Sequence, residues 1–352
     1  MQGAAKGKNR LALYATRAQG TSVGRERRSG FMAVYTDVPD DKLKAFLADY
    51  ALGEPISCKG IAEGVENSNY LLRTERGIFI LTLYEKRVNP ADLPFFLALM
   101  DHLARKGLAC PTPVHGRDGK ALRQLCERPA AIVSFLDGMW PRRIEPYHCT
   151  GLGGALAQLH VAVGDFSGRR GNDLSLAGWH KLYEACRPRA DEVQKGLADE
   201  LGAELAILDQ HWPRDLPRGV IHADLFPDNV FFRGTAVSGL IDFYFACTDF
   251  FAYDVAICLN AWCFEADGSF NVTKARLLLA SYRAGRPLTP PEFDALPILA
   301  RGSALRFLLT RLYDLLNHPA GALVRPKNPL EYLTKLRFHR GVTQSSAYGL
   351  DP

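Results

Sequence analysis

Between two apolar runs of this 352-residue chain lies a polar loop, His222-Ala223-Asp224-Leu225-Phe226-Pro227-Asp228-Asn229. Thirteen residues after Asn229, the apolar stretch Gly239-Leu240-Ile241 ends in Asp242. A carboxylate, an amide oxygen five residues later and a second carboxylate at a strand end are the set that phosphoryl transfer uses. Asp224 would accept the proton of an attacking hydroxyl, while Asn229 and Asp242 would hold Mg²⁺, a hard cation that takes oxygen ligands. Each residue also has a plainer reading: a packed histidine, turn formers beside Pro227, a turn cap, a strand end. Their occurrence together and in this order favours the chemistry. His222 is read as a brace for the loop, and Asp254, in Ala252-Tyr253-Asp254, as a tether that accepts backbone amides.

Rigid elements must aim these groups. Asp40 to Tyr50 places Leu43, Phe46, Leu47 and Tyr50 on one helical face. Tyr70 to Thr74 and Ile78 to Tyr84 flank Glu75-Arg76-Gly77 and read as a hairpin. A helix over Asp92 to Lys106 follows, ended by Gly107, and two short strand-like runs surround Arg117-Asp118-Gly119-Lys120 and close with Ala130 to Phe135. Beyond Tyr147 the pattern is mostly helical: Gly151 to His160, Ser175 to Cys186, Asp191 to Trp212, Thr273 to Ala284, Pro291 to Leu316 and Pro329 to Arg340. The expected architecture is α+β, with a small antiparallel sheet and one helix over residues 32–136 and a larger helical lobe over 137–352, hinged near Ser134 to Gly138.

Composition narrows the class. Hydrophobic residues make up 47% of the chain and no run approaches the ~20 apolar residues of a membrane span, so a soluble protein is expected. Residues 1–31 hold seven basic residues and one acid, leaving 36 basic against 37 acidic residues in the remainder. Without a basic stripe on the body, nucleic acid is not an expected partner. The first 31 residues read as a disordered basic extension or an upstream start before Met32, with an organelle transit peptide as the alternative. Eight cysteines include no Cys-x-x-Cys pair, which suggests reduced thiols and a cytoplasmic protein.

His222-Ala223-Asp224 to Asn229 resembles the His-Gly-Asp-x-x-x-x-Asn motif of the aminoglycoside phosphotransferase-like branch of the protein-kinase-like fold. Within it, Gly60-Ile61-Ala62-Glu63-Gly64-Val65-Glu66-Asn67-Ser68-Asn69-Tyr70, Phe79 to Lys86, Leu259 to Phe264 and Arg306 to Tyr313 are similar to the bacterial homoserine kinases, from about Met32 to Tyr348. The resemblance implies a two-lobe kinase that uses ATP and Mg²⁺ to phosphorylate the hydroxyl of L-homoserine, in threonine biosynthesis. It implies Asp224 as the base, Asn229 and Asp242 as metal ligands, and Ser134, Phe135 and Leu136 as the segment whose backbone meets adenine. Gly60 to Gly64 is not a Gly-x-Gly-x-x-Gly loop, so amides around Asn67, Ser68 and Asn69 are the candidates for cradling phosphate. Thr82 stands where a phosphate-pairing lysine is expected, which leaves Lys86 as a candidate beside its reading as a solvated strand end.

Arginine suits a substrate carboxylate through its bidentate fork, and the helix over Pro291 to Leu316 offers Arg301, Arg306 and Arg311. Arg306 ranks first and Arg311 second, against the alternative that they pair with acids such as Asp314. Two other functions stand beside this one: a kinase of the same fold for another alcohol such as an aminoglycoside, choline or a sugar, and a catalytically dead nucleotide-binding module. The residue pattern says nothing of oligomeric state.

Overall fold

The computed structural model describes residues 36–61, 67–85, 89–318 and 326–350. The chain divides into two compact units, Met1–Val88 with His115–Val133, and Asn89–Val114 with Ser134–Pro352.

The first unit is built on a five-stranded sheet in the order β1-β2-β3-β5-β4. Its strands are β1 (Pro55–Gly60), β2 (Ser68–Thr74), β3 (Gly77–Leu83), β4 (Arg123–Leu125) and β5 (Arg128–Ser134). β2 and β3 pair antiparallel from Ser68↔Leu83 to Thr74↔Gly77, closing the expected hairpin over Glu75-Arg76. Leu72, Leu81, Leu83, Ala130 and Ile132 are buried beneath it. Helix α1 (Asp40–Leu47) buries Leu43, Phe46 and Leu47, the face that its apolar spacing predicts.

Two features of this unit differ from expectation. The last hairpin does not turn at Arg117–Lys120, where Gly116 N–H donates to the Lys120 carbonyl at 2.9 Å inside a loop. It reverses at Cys126-Glu127, both left-handed with φ of 50° and 60°. Two successive left-handed residues suit the twist of a tight hairpin, but here neither is the Gly or Asn that signals such a turn. β1 had no alternating apolar pattern to reveal it; it is an edge strand that begins on a proline, a position where the missing N–H costs no ladder bond.

The second unit is mainly helical. It holds α2 (Leu93–Arg105), α3 (Pro146–Ala162), α4 (Leu176–Cys186), α5 (Leu197–His211), α6 (Phe251–Trp262), α7 (Val272–Gly285), α8 (Pro290–Leu316) and α9 (Leu330–Arg340). α2, read in the sequence as part of the sheet-bearing region, belongs to this unit, where Phe96 meets the edge of Tyr244 at 5.6 Å. The single helix expected from Asp191 to Trp212 is broken. Gly196 takes φ 80°, and the Asp191 carboxylate accepts the Gly196 and Ala198 amides at 3.0 and 2.9 Å, so α5 starts only at Leu197. Two antiparallel strand pairs carry the polar loop: β6 (Arg218–Ile221) pairs with β9 (Cys247–Phe250), and between them in the chain lies the hairpin of β7 (Val230–Arg233) and β8 (Ala236–Leu240). Among the described residues, no helix is long and apolar enough to cross a membrane.

Candidate active site

The polar loop leaves β6 at Ile221 and enters β7 at Val230, so both its ends are anchored in paired strands. Asp224 is half-buried at its centre and Asn229 is buried. The Asn229 amide donates from Nδ2 to the Asp224 carbonyl at 2.8 Å and to its Oδ2 at 3.3 Å. This turns the Asn229 Oδ1 away from Asp224. The Ile241 N–H donates to the Asn229 carbonyl at 3.0 Å, which brings the exposed Asp242 alongside; it follows β8 with a left-handed φ of 64°. Asp224, Asn229 and Asp242 are thus stitched into one neighbourhood by backbone and amide bonds.

His222 braces both segments. Its Nε2 hydrogen bonds with the Ile241 carbonyl at 3.0 Å, and the Asp224 N–H donates to its Nδ1 at 3.3 Å. A carbonyl on one nitrogen and an N–H on the other fix the neutral Nε2–H tautomer. Burial pushes its pKa down, so it carries no charge near neutral pH.

Asp254, fully buried on α6, lies behind this brace. Its carboxylate accepts the His222 N–H at 2.8 Å and the Ala223 N–H at 2.9 Å, and His160 Nε2 lies 3.2 Å away. Burial alone drives this carboxyl upward; the hydrogen bond from His160 and the backbone amide of His222 outweigh it and hold the pKa below the usual range. Burial pushes the His160 pKa down, so its contact with Asp254 is a hydrogen bond from a neutral ring. The network continues outward: Tyr282 Oη donates to His160 Nδ1 at 2.8 Å, and Arg286 bonds to Tyr282 Oη at 3.0 Å and to Glu292 at 2.9 Å.

The two ranked arginines of α8 part company. Arg306 is 1% exposed and donates from Nη1 to the Ala223 carbonyl at 2.6 Å. Arg311 instead reaches α9, where Nη1 lies 2.6 Å from the Glu331 carboxylate and Cζ sits 4.4 Å from the Tyr332 ring centre. Arg301 is paired with Glu204.

At the end of β5, the Ser134 N–H donates to the Thr112 carbonyl at 2.9 Å and its Oγ accepts the Thr112 N–H at 2.9 Å, which pins the start of the Ser134-Phe135-Leu136 segment. In the first unit, the side chains of the residues whose amides were candidates for cradling phosphate hold strands together. Asn67 Oδ1 accepts the Glu85 N–H at 3.3 Å, Ser68 Oγ donates to the Glu85 carboxylate at 2.7 Å, and Asn69 Oδ1 accepts from Thr82 Oγ1 at 2.8 Å. Lys86 lies outside the described residues.

Residues 57–288 match the phosphotransferase enzyme family. The chain belongs to that family. It is 65% identical to the homoserine kinase of Parvibaculum lavamentivorans over 320 residues, 91% of this chain and 100% of that protein. The homoserine kinase of Rhodospirillum rubrum is 64% identical, over 91% of this chain and 99% of its own length. Among solved structures, spectinomycin phosphotransferase APH(9)-Ia, in complex with ADP and spectinomycin, superposes with a TM-score of 0.63 at 15% identity, covering 89% of this chain and 98% of its own. Amicoumacin kinase hAmiN, in complex with AMP-PNP and Ca²⁺, gives 0.62 at 16%, covering 85% and 91%. Those two likenesses show the protein-kinase-like fold.

Seen as a member of the phosphotransferase enzyme family, the site contains two participants that the reading of residue types passed over. Ala223 has a φ of 65° where the family motif has glycine, and that departure from the motif was the available signal. Trp262 Nε1 donates to the Leu225 carbonyl at 2.7 Å, an anchor that no spacing rule exposes because it joins residues 37 apart.

Proposed function

We propose that this chain transfers the γ-phosphoryl group of ATP to the side-chain hydroxyl of L-homoserine, giving O-phospho-L-homoserine in the cytoplasm. The observation that carries the reading is the identity of about 64% with homoserine kinases over 91% of the chain. The site geometry supports the chemical step. Asp224, oriented by Asn229 and His222, would take the proton from the acceptor hydroxyl as its oxygen bonds to phosphorus and the bond to ADP breaks. Asn229 and Asp242 would hold Mg²⁺. Their donors are oxygens only. An amide oxygen and one carboxylate suit a cation that takes its remaining ligands from nucleotide phosphates and water. When bound, Mg²⁺ supplies charge neutralisation of the transferring phosphate.

The Ser134–Leu136 backbone is proposed to meet adenine. For the substrate carboxylate we propose Arg311, whose present partner Glu331 is a side chain 52% exposed and able to exchange it. Arg311→Leu is then expected to raise KM for homoserine about tenfold or more while leaving KM for ATP within about twofold.

ADP release measured with homoserine, serine, choline and kanamycin tests the assignment. Turnover confined to homoserine is expected. A preference for choline or kanamycin would move the chain to another acceptor, and no turnover with any acceptor would leave a nucleotide-binding module.

A further inference from the structure

Ala223 sits between the two residues that define the catalytic loop, and its left-handed φ of 65° is a conformation an alanine adopts only against steric strain. Such a residue stays in place only where its surroundings over-determine it. Both ends of Ala223 are held by opposite charges from separate helices: its N–H donates to the Asp254 carboxylate of α6 at 2.9 Å, and its carbonyl accepts from Arg306 of α8 at 2.6 Å.

Arg306 is an expensive choice for that second contact. Its side chain is among the largest fully buried ones, and among the described residues no carboxylate pairs with it and its Nε has no hydrogen-bond partner. The guanidinium carbon lies 4.4 Å from the Phe307 ring centre and 6.0 Å from that of Phe245. Taking such a cation out of water is costly, and a neutral carbonyl with the attraction of the buried Tyr253 and Asp249 offsets that cost only in part. A hydrophobic side chain of similar volume would pack there more favourably. A hydrophobic residue would forfeit the bond to Ala223 together with the attraction of the guanidinium to the buried Tyr253 and Asp249, and of these only the Ala223 bond lies in the catalytic loop.

We propose that Arg306 is a positioning residue for phosphoryl transfer: with Asp254 it clamps the left-handed Ala223 peptide and thereby aims the Asp224 carboxylate. The inference rests on Asp224 as the base. It also separates Arg306 from substrate recognition, since a guanidinium 1% exposed and pressed against Phe307 offers no face to an incoming carboxylate.

Three variants of the full chain test it: Arg306→Met, which keeps bulk without a donor; Arg306→Lys, which keeps one charged donor; and Asp224→Asn for comparison. Steady-state kinetics of Arg306→Met are expected to show kcat about 10²-fold lower, the penalty of a misplaced catalytic group, with KM for homoserine and ATP each within about threefold. Arg306→Lys is expected to recover at least about tenfold of that loss. Hydrogen–deuterium exchange supplies a readout independent of any assay of transfer. In Arg306→Met, amides of the 221–230 segment are expected to exchange at least about tenfold faster, while those of α3 and α7 keep their protection. This readout holds even where homoserine turnover is absent, so a failed functional assignment is told apart from a failed clamp. A rise in KM for homoserine with kcat preserved would overturn the proposal in favour of a carboxylate ligand. Unchanged exchange in 221–230, or loss of protection throughout the molecule, would overturn it as well. If Arg306→Met does not fold, the same comparison is made with Arg306→Lys, whose kcat is expected to fall by less than about tenfold and whose exchange is expected to rise only in 221–230.

Discussion

Asp224 and Asp242 lie on segments linked through Asn229 and Ile241 yet differ in burial, and the difference decides what each can do. Asp224 is half-buried and shares its Oδ2 with the Asn229 amide, so its orientation is set before substrate arrives. Asp242 is exposed and held by its left-handed backbone. Asp224→Asn keeps the shape and removes the base, so turnover is expected to fall at least ~10²-fold while titration with a non-hydrolysable ATP analogue stays nearly unchanged. A near-normal turnover number would remove Asp224 from the role. Asp242→Ala removes a proposed metal oxygen, so the Mg²⁺ concentration for half-maximal activity is expected to rise several-fold. An unaltered Mg²⁺ titration would speak against the assignment.

The elements that carry these residues are packed closely enough for single atoms to matter. α3 and α7 approach at Gly153, where an added Cβ would fall inside contact distance of the Leu278 carbonyl and lie 3.0 Å from the Tyr282 nitrogen. Both are backbone atoms and cannot swing away. Gly153→Ala is therefore expected to destabilise the protein by roughly 1–3 kcal/mol despite alanine's better helix propensity. The adjacent Gly154 faces only the Ser281 hydroxyl, at 3.3 Å, so Gly154→Ala is expected to be neutral or slightly stabilising in the same thermal melts. Equal effects at the two sites would refute the packing argument. Helices such as α1 and α2 were legible because Leu43, Phe46, Leu47 and Leu93, Phe96, Leu97, Met100, Leu103 repeat with the helical period and are buried together. The clustering of Asp224, Asn229 and Asp242 was legible too, since a short loop and the following hairpin leave little freedom. What sequence spacing concealed depends on tertiary context. The Cys126-Glu127 turn carries no glycine, α5 is delayed by an Asp191 cap, and Arg306 spends its charge on a carbonyl 83 residues away.

For the whole molecule, the buried neutral histidines link stability to pH. His160, His222 and His339 are all buried, with pKa values pushed down first of all by burial. For His339, burial and then the nearby Lys335 charge bring it to about 3. Its Nδ1 accepts from Tyr348 Oη at 2.8 Å and its Nε2 donates to Asn260 Oδ1 at 3.1 Å, so the neutral ring ties α9 to α6. The sign follows from linkage. Between a folded value near 3 and an unfolded value of about 6.5, the unfolded chain binds the proton and the folded chain does not, so stability rises with pH across that window. The contribution is complete above pH ~6.5 and is lost as the pH falls toward the folded value. Asp254, also depressed, adds loss in the same direction below about pH 4. The melting temperature is thus expected to fall steadily from pH 7 to pH 4, with His339 taking up about one proton on unfolding near pH 5 and the depressed His160 and His222 acting in the same direction. His339→Gln keeps a donor and an acceptor without a titrating ring, so it should reduce the slope of stability against pH by roughly 1.4 kcal/mol per pH unit between pH 4 and 6. Urea melts of the two proteins across that range measure it, and parallel slopes would show that His339 does not titrate on unfolding.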